Sequence, residues 1–129
     1  MNNKQKIKLL KAQQAELDAV IIYRELADII KDEEYKEEFL KVSVDEGKHA
    51  GILKQYTNEI LKPKSLKAKF IIIIYRVLGA KFTMNMLSKG ELKSVKPYSE
   101  LAKDFPRIEE IIDDEVRHAE IAREYKNIL

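Results

Sequence analysis

Residues 45–50 read Asp45-Glu46-Gly47-Lys48-His49-Ala50, and residues 114–119 read Asp114-Glu115-Val116-Arg117-His118-Ala119. Four of the six positions are identical, and a fifth pairs Lys48 with Arg117. Residues three apart on a helix share a face, so each string aims one carboxylate and one imidazole at the same point. The flanks extend each string into an apolar stripe with alternating three- and four-residue spacing. One stripe is Phe39, Val42, Glu46, His49, Leu53, Tyr56, Ile60; the other is Ile108, Ile111, Glu115, His118, Ala122, Tyr125, Leu129.

Two more stripes have the same period, each with a lone carboxylate. The first is Leu9, Ala12, Glu16, Ala19, Tyr23, Leu26, Ile30. The third in chain order is Ile73, Val77, Ala80, Met84, Leu87, Glu91, Ser94, Tyr98, Leu101. Both lone carboxylates have a Tyr seven residues on, as Glu16/Tyr23 and Glu91/Tyr98. The sequence therefore reads as two related helix pairs, each pairing a lone Glu with a Glu-x-x-His.

The expected fold is all-α, an antiparallel up-and-down four-helix bundle with a dinuclear metal site in its core. Residues 1–129 are expected to form a single domain, since either half alone has a marginal core. Asp32, Glu33 and Glu34 suit the start of the second helix, where acids meet the positive dipole end. Pro63 is expected to end that helix, and Ser65 to cap the third. Asp104 and Pro106 mark the start of the fourth. Pro97 falls inside the third stripe and predicts a kink or a break there. The run Ile71–Ile74 has strand propensity, but its flanks keep the helical period. Gly47 and Gly51 suggest close approach of a neighbouring helix or a bound group. The segment Lys62–Lys69 reads as a solvated connection, and Met84 and Met86 as core filler.

Four inward carboxylates decide the chemistry. A buried, unpaired carboxylate costs several kcal/mol, so four would rival the roughly 5–15 kcal/mol stability of a whole domain. No Arg or Lys occupies a stripe position to neutralise them. Two divalent cations do, and neutral imidazole leaves that balance unchanged. Oxygen-rich ligation with one imidazole per ion favours Fe or Mn. The chain has no Cys, which excludes thiolate zinc, iron–sulfur ligation, thiol catalysis and disulfides.

Composition excludes other classes. The 24 basic and 22 acidic side chains leave +2, so no large net field attracts nucleic acid or anionic lipid. Neither nucleic acid nor membrane is an expected partner. The N-terminus lacks the apolar core of a secretion signal. The longest apolar run, Phe70–Tyr75 extended past Arg76 to Leu78, falls short of the roughly 20 residues that span a bilayer. A soluble, cytoplasmic protein is expected.

The pattern resembles the ferritin-like superfamily and, within it, the rubrerythrin branch, over essentially the whole chain. The residues that carry the resemblance are Leu87-Ser88-Lys89-Gly90-Glu91, Tyr98-Ser99-Glu100-Leu101-Ala102 and Ile111 through His118. They are similar to rubrerythrin-like domains that occur alone or fused to vacuolar-iron-transporter-type membrane domains. The resemblance implies metal ligands Glu16, Glu46, His49, Glu91, Glu115 and His118, with Glu46 and Glu115 bridging and Glu16 and Glu91 terminal. It implies two Fe ions, with Mn or a mixed Fe/Mn pair open.

The same resemblance implies a homodimer, with swapping of helix pairs open. Classical rubrerythrins carry a four-Cys rubredoxin; this Cys-free sequence stops at Leu129, so an external electron donor is expected for turnover. Peroxidase-type members place a second Glu three residues after the third-helix ligand, and here that position is Ser94.

Tyr23 and Tyr98 are read mainly as core packing, with hydrogen bonds to ligand carboxylates as the alternative. Asp45 and Asp114 either orient the two His or form surface ion pairs. The leading functional reading is Fe(II) binding and oxidation by O2 or peroxide, a ferroxidase or peroxidase-type activity in iron homeostasis or oxidative-stress defence. Non-catalytic metal storage, delivery or sensing is the alternative. A purely structural bundle is the third.

Overall fold

Local chemistry at the helix starts is legible in the computed structural model, which describes all residues 1–129. Asn2 caps α1 (Asn3–Ile29). Its side chain accepts from the Gln5 backbone at 2.8 Å while the Gln5 side chain accepts from the Asn2 backbone at 3.1 Å, a reciprocal capping box. Asp32 caps α2 (Glu33–Thr57) by accepting from the Tyr35 N–H at 3.1 Å, with Glu33 and Glu34 in the first turn as expected.

The end of α2 departs from expectation. Asn58 in the left-handed conformation (φ 56°) stops the helix, five residues before Pro63. Asn tolerates this conformation because its short polar side chain bonds locally, and its N–H closes onto the Lys54 carbonyl at 2.8 Å. Ile60 consequently lies outside the helix and is exposed.

Three further helices follow: α3 (Leu66–Leu78), α4 (Ala80–Ala102) and α5 (Ile108–Ile128). The chain is all-helical, with five helices in place of the four expected. Gly79 makes the difference. Its φ of 92° is open to Gly and strained for other residues, and it breaks the third stripe in two. Ile73 and Val77, on the α3 side of the break, are exposed rather than buried; Met84, Leu87, Tyr98 and Leu101, on the α4 side, are buried. Lys62–Lys69 is likewise only partly an irregular connection, because α3 begins at Leu66.

Pro97 does not break α4, which runs continuously through it. Pro97 and Lys93 are both exposed, so water can satisfy the Lys93 carbonyl that loses its helical donor.

The chain divides into two compact units, Met1–Lys69 and Phe70–Leu129. In the first, α1 and α2 form an antiparallel hairpin. Successively later residues of α1 meet earlier residues of α2: Gln13 meets Thr57, the Val20 carbonyl accepts from Ser43 Oγ, and Tyr23 stacks on Phe39 at 5.9 Å. The core includes Leu9, Leu26, Ile30, Phe39, Val42 and Leu53. Gln13 also donates to the Glu59 carbonyl, while Asp18 accepts from the Lys64 N–H, so buried polar groups pin the chain leaving α2.

In the second unit α4 and α5 form another antiparallel hairpin. Lys126 donates to Asn85 at 2.9 Å, and Ser88 Oγ donates to the Ala119 carbonyl at 3.0 Å. Met84, Ile108, Ile111 and Ala122 lie in its core.

Neither helical glycine of α2 is forced by a close approach. A Cβ on Gly47 would meet Val20 at an ordinary 3.8 Å, and one on Gly51 would meet nothing within 4 Å. Gly51→Ala is therefore expected to stabilise the protein by about 1 kcal/mol through helix propensity, as a urea midpoint shift would measure. A destabilised variant would mean that the space beside Gly51 is needed.

No helix is long and apolar enough to cross a membrane.

Candidate metal centre

Each hairpin assembles three buried side chains of the types that can ligate a metal. In the first unit, α1 contributes Glu16 and α2 contributes Glu46 and His49, all nearly inaccessible to solvent. The antiparallel register, already seen in the Val20–Ser43 and Gln13–Thr57 contacts, brings Glu16 opposite residues 30 or more positions away. His49 Nδ1 lies 3.1 Å from Glu46 Oε1 and 3.6 Å from Glu16 Oε1. One ligand atom from each of the three lies within 4.8 Å of the other two.

The second unit repeats the arrangement. Glu91 comes from α4, Glu115 and His118 from α5, and again all three are buried. His118 Nδ1 lies 3.8 Å from Glu91 Oε2, and the three ligand atoms lie within 4.8 Å of one another. All six residues singled out from the sequence are buried, three on each hairpin.

Charge and donor chemistry fit a divalent cation. Each triad holds two carboxylates and one imidazole, so protonating the His cancels at most one of two negative charges. A divalent ion cancels both. Glu46 Oε1, His49 Nδ1, Glu91 Oε2, Glu115 Oε1 and His118 Nδ1 are buried atoms that make no hydrogen bond, although each residue has other electrostatic partners. The donors are hard oxygens with one nitrogen, as Fe or Mn prefers.

Around the triads, Tyr23 and Tyr98 are buried, and Asp45 and Asp114 are half-buried. Tyr23 is buried and its ring stacks on Phe39 with an interplanar angle of 6°. Tyr98 is buried in the second unit. Asp114 is half-buried and pairs with Arg117 one turn on at 3.1 Å. Asp45 occupies the equivalent half-buried place on α2.

Ser94 has a contact that spacing alone does not reveal. Its Oγ lies 3.1 Å from Glu115 Oε2 and 2.6 Å from the Glu91 carbonyl, so its single proton serves one of two acceptors beside the ligand set. The position holds a neutral hydroxyl donor. Gln13 was also missed as a buried polar group; its place four residues after Leu9 and three before Glu16 was the available signal. Asp18, outside every stripe, gave none.

Comparison with known proteins found no match among curated proteins and none among solved structures. The family model described as Rubrerythrin matches residues 8–126, a span that includes all six buried ligand-type residues. With two Glu/Glu-x-x-His hairpins and that match over nearly its whole length, the chain belongs to the Rubrerythrin family of the ferritin-like superfamily.

Proposed function

We propose that this protein is a dinuclear non-haem iron protein that binds Fe(II) and oxidises it with O2 or peroxide, in iron homeostasis or oxidative-stress defence. The observation that carries the reading is the repeated buried triad, Glu16/Glu46/His49 and Glu91/Glu115/His118. Under this proposal Glu16, Glu46 and His49 would hold one ion in the first hairpin, and Glu91, Glu115 and His118 would hold one in the second. Family membership supports a di-iron protein, and the oxygen-rich donor set supports iron or manganese over softer metals.

The bound metal would supply the electrons passed to the oxidant. The chain's own part is to hold the ions. His49 and His118 supply neutral donors, and the four carboxylates supply the negative charge that matches two dications. Burial of all six keeps bulk water from competing for the ions. The chain has no Cys, so a second protein is proposed to return electrons if the metal turns over.

Ser94 favours a second reading, metal storage, delivery or sensing without turnover. A hydroxyl beside Glu115 offers a proton, not the additional carboxylate of peroxidase-type relatives.

Anaerobic titration with Fe(II), followed by exposure to O2, separates the readings. The expected result is saturation at about two irons per chain, then ferric absorbance in the near ultraviolet that grows faster than in protein-free Fe(II). Saturation without faster oxidation would select the second reading. Absence of saturable binding would overturn both.

A further inference from the structure

We propose that α3 docks the protein on an anionic phospholipid surface, lying in the plane of the membrane. Only Ala68 of this helix is buried, on the side opposite its most exposed apolar residues. Leu66, Phe70, Ile73 and Val77 are 78%, 64%, 58% and 74% exposed. At about 100° per residue these four fall within roughly 60° of arc, one continuous apolar stripe. A strongly apolar helix is ordinarily buried against something.

Charge selects what covers it. From Ile60 to Gly90 the chain has no Asp or Glu, while Lys62, Lys64, Lys67, Lys69, Arg76, Lys81 and Lys89 are all basic. Lys69 and Arg76 border the apolar stripe on one side and Lys67 on the other, by helical geometry. The overall charge of +2 is an average that conceals this local excess. Two copies meeting through α3 would bring two such segments together with no acid between them.

An anionic bilayer surface meets both demands. Its acyl boundary takes up the Leu, Phe, Ile and Val side chains, and its headgroups pair with the flanking cations. Lys and Arg stems can lie along the apolar zone while their charges reach the headgroups. Thirteen residues extend about 20 Å, short of the roughly 30 Å hydrocarbon core, so α3 lies in the interface rather than across it. This inference is independent of the metal proposal.

Co-sedimentation of the full chain with phosphatidylcholine vesicles, with and without phosphatidylglycerol, tests it. Binding is expected on the anionic vesicles, weaker on the neutral ones, and reduced by added salt. A Phe70→Gln, Ile73→Gln variant, altered only at exposed positions, is expected to bind at least about tenfold more weakly. Lys67→Gln with Lys69→Gln should weaken binding to anionic vesicles alone. Circular dichroism and Fe(II) binding check that each variant keeps its fold.

Three results would overturn the proposal. One is no sedimentation with anionic vesicles at low salt. Another is unchanged binding by the Phe70→Gln, Ile73→Gln variant. The third is a solution dimer that buries α3, dissociates in that variant, and does not bind vesicles.

Discussion

A protein carrying Glu46→Ala together with Glu115→Ala is expected to lose saturable Fe(II) binding, from about two ions per chain to none. Each substitution leaves its hairpin with one carboxylate and one imidazole: Glu16 with His49, and Glu91 with His118. A dication held there keeps an uncompensated positive charge in a buried site, a cost of several kcal/mol. Loss of an outer-shell partner typically costs about 10–100-fold in metal affinity, so loss of a direct ligand from both triads should exceed that. The check is equilibrium dialysis under anaerobic conditions followed by elemental analysis. Glu120→Ala is the control, since Glu120 is exposed and pairs only loosely with Arg123 at 3.9 Å; it should retain full binding. If the double variant still retains two irons per chain, the six-residue assignment is wrong.

Conservative replacement at the same positions is expected to move stability in opposite directions with and without metal. In metal-free protein each hairpin buries two carboxylates against one imidazole. Changing Glu46 and Glu115 to Gln keeps the shape and removes one negative charge from each triad. Replacing buried charge by neutral groups of similar volume is often stabilising by about 1–4 kcal/mol. The metal-free Glu46→Gln, Glu115→Gln protein should therefore unfold at higher urea concentration than metal-free wild type.

Adding Mn(II), which avoids oxidation during the measurement, should reverse the order. A ligand at 1,000 times its dissociation constant stabilises the folded state by about 4 kcal/mol per site. Wild type should gain that stabilisation and the variant should gain little. Urea curves on both proteins, with chelator or with Mn(II), measure all four states. A metal-free variant less stable than wild type would show that Glu46 and Glu115 are satisfied by the protein itself.

Some features were readable from spacing because their causes are local. Asp32, Glu33 and Glu34 signal the start of α2 by chemistry within four residues. The Glu-x-x-His pairs share a face because three residues of helix place them there. The third stripe misled at its start because the 3,4 spacing of Ile73, Val77 and Ala80 runs through Gly79. Periodicity cannot register one positive φ, which re-aims everything before it. Pro97 misled in the other direction. Whether a proline breaks a helix depends on the surroundings of the carbonyl it strips of a donor, here that of exposed Lys93.

The helical class, the hairpin halves and the six Glu and His positions on the apolar stripes were legible in the residue order, because each follows from helical repeat and side-chain chemistry. Folding added the distances at which each lone Glu meets its Glu-x-x-His, since these depend on antiparallel register between residues 24 or more positions apart. It alone showed Ser94 against Glu115, Gln13 and Asp18 as buried clamps, and the apolar face of α3 turned outward. Hydrophobicity states that a side chain gains from leaving water. It does not state what will cover it, and on α3 Leu66, Phe70, Ile73 and Val77 stay exposed.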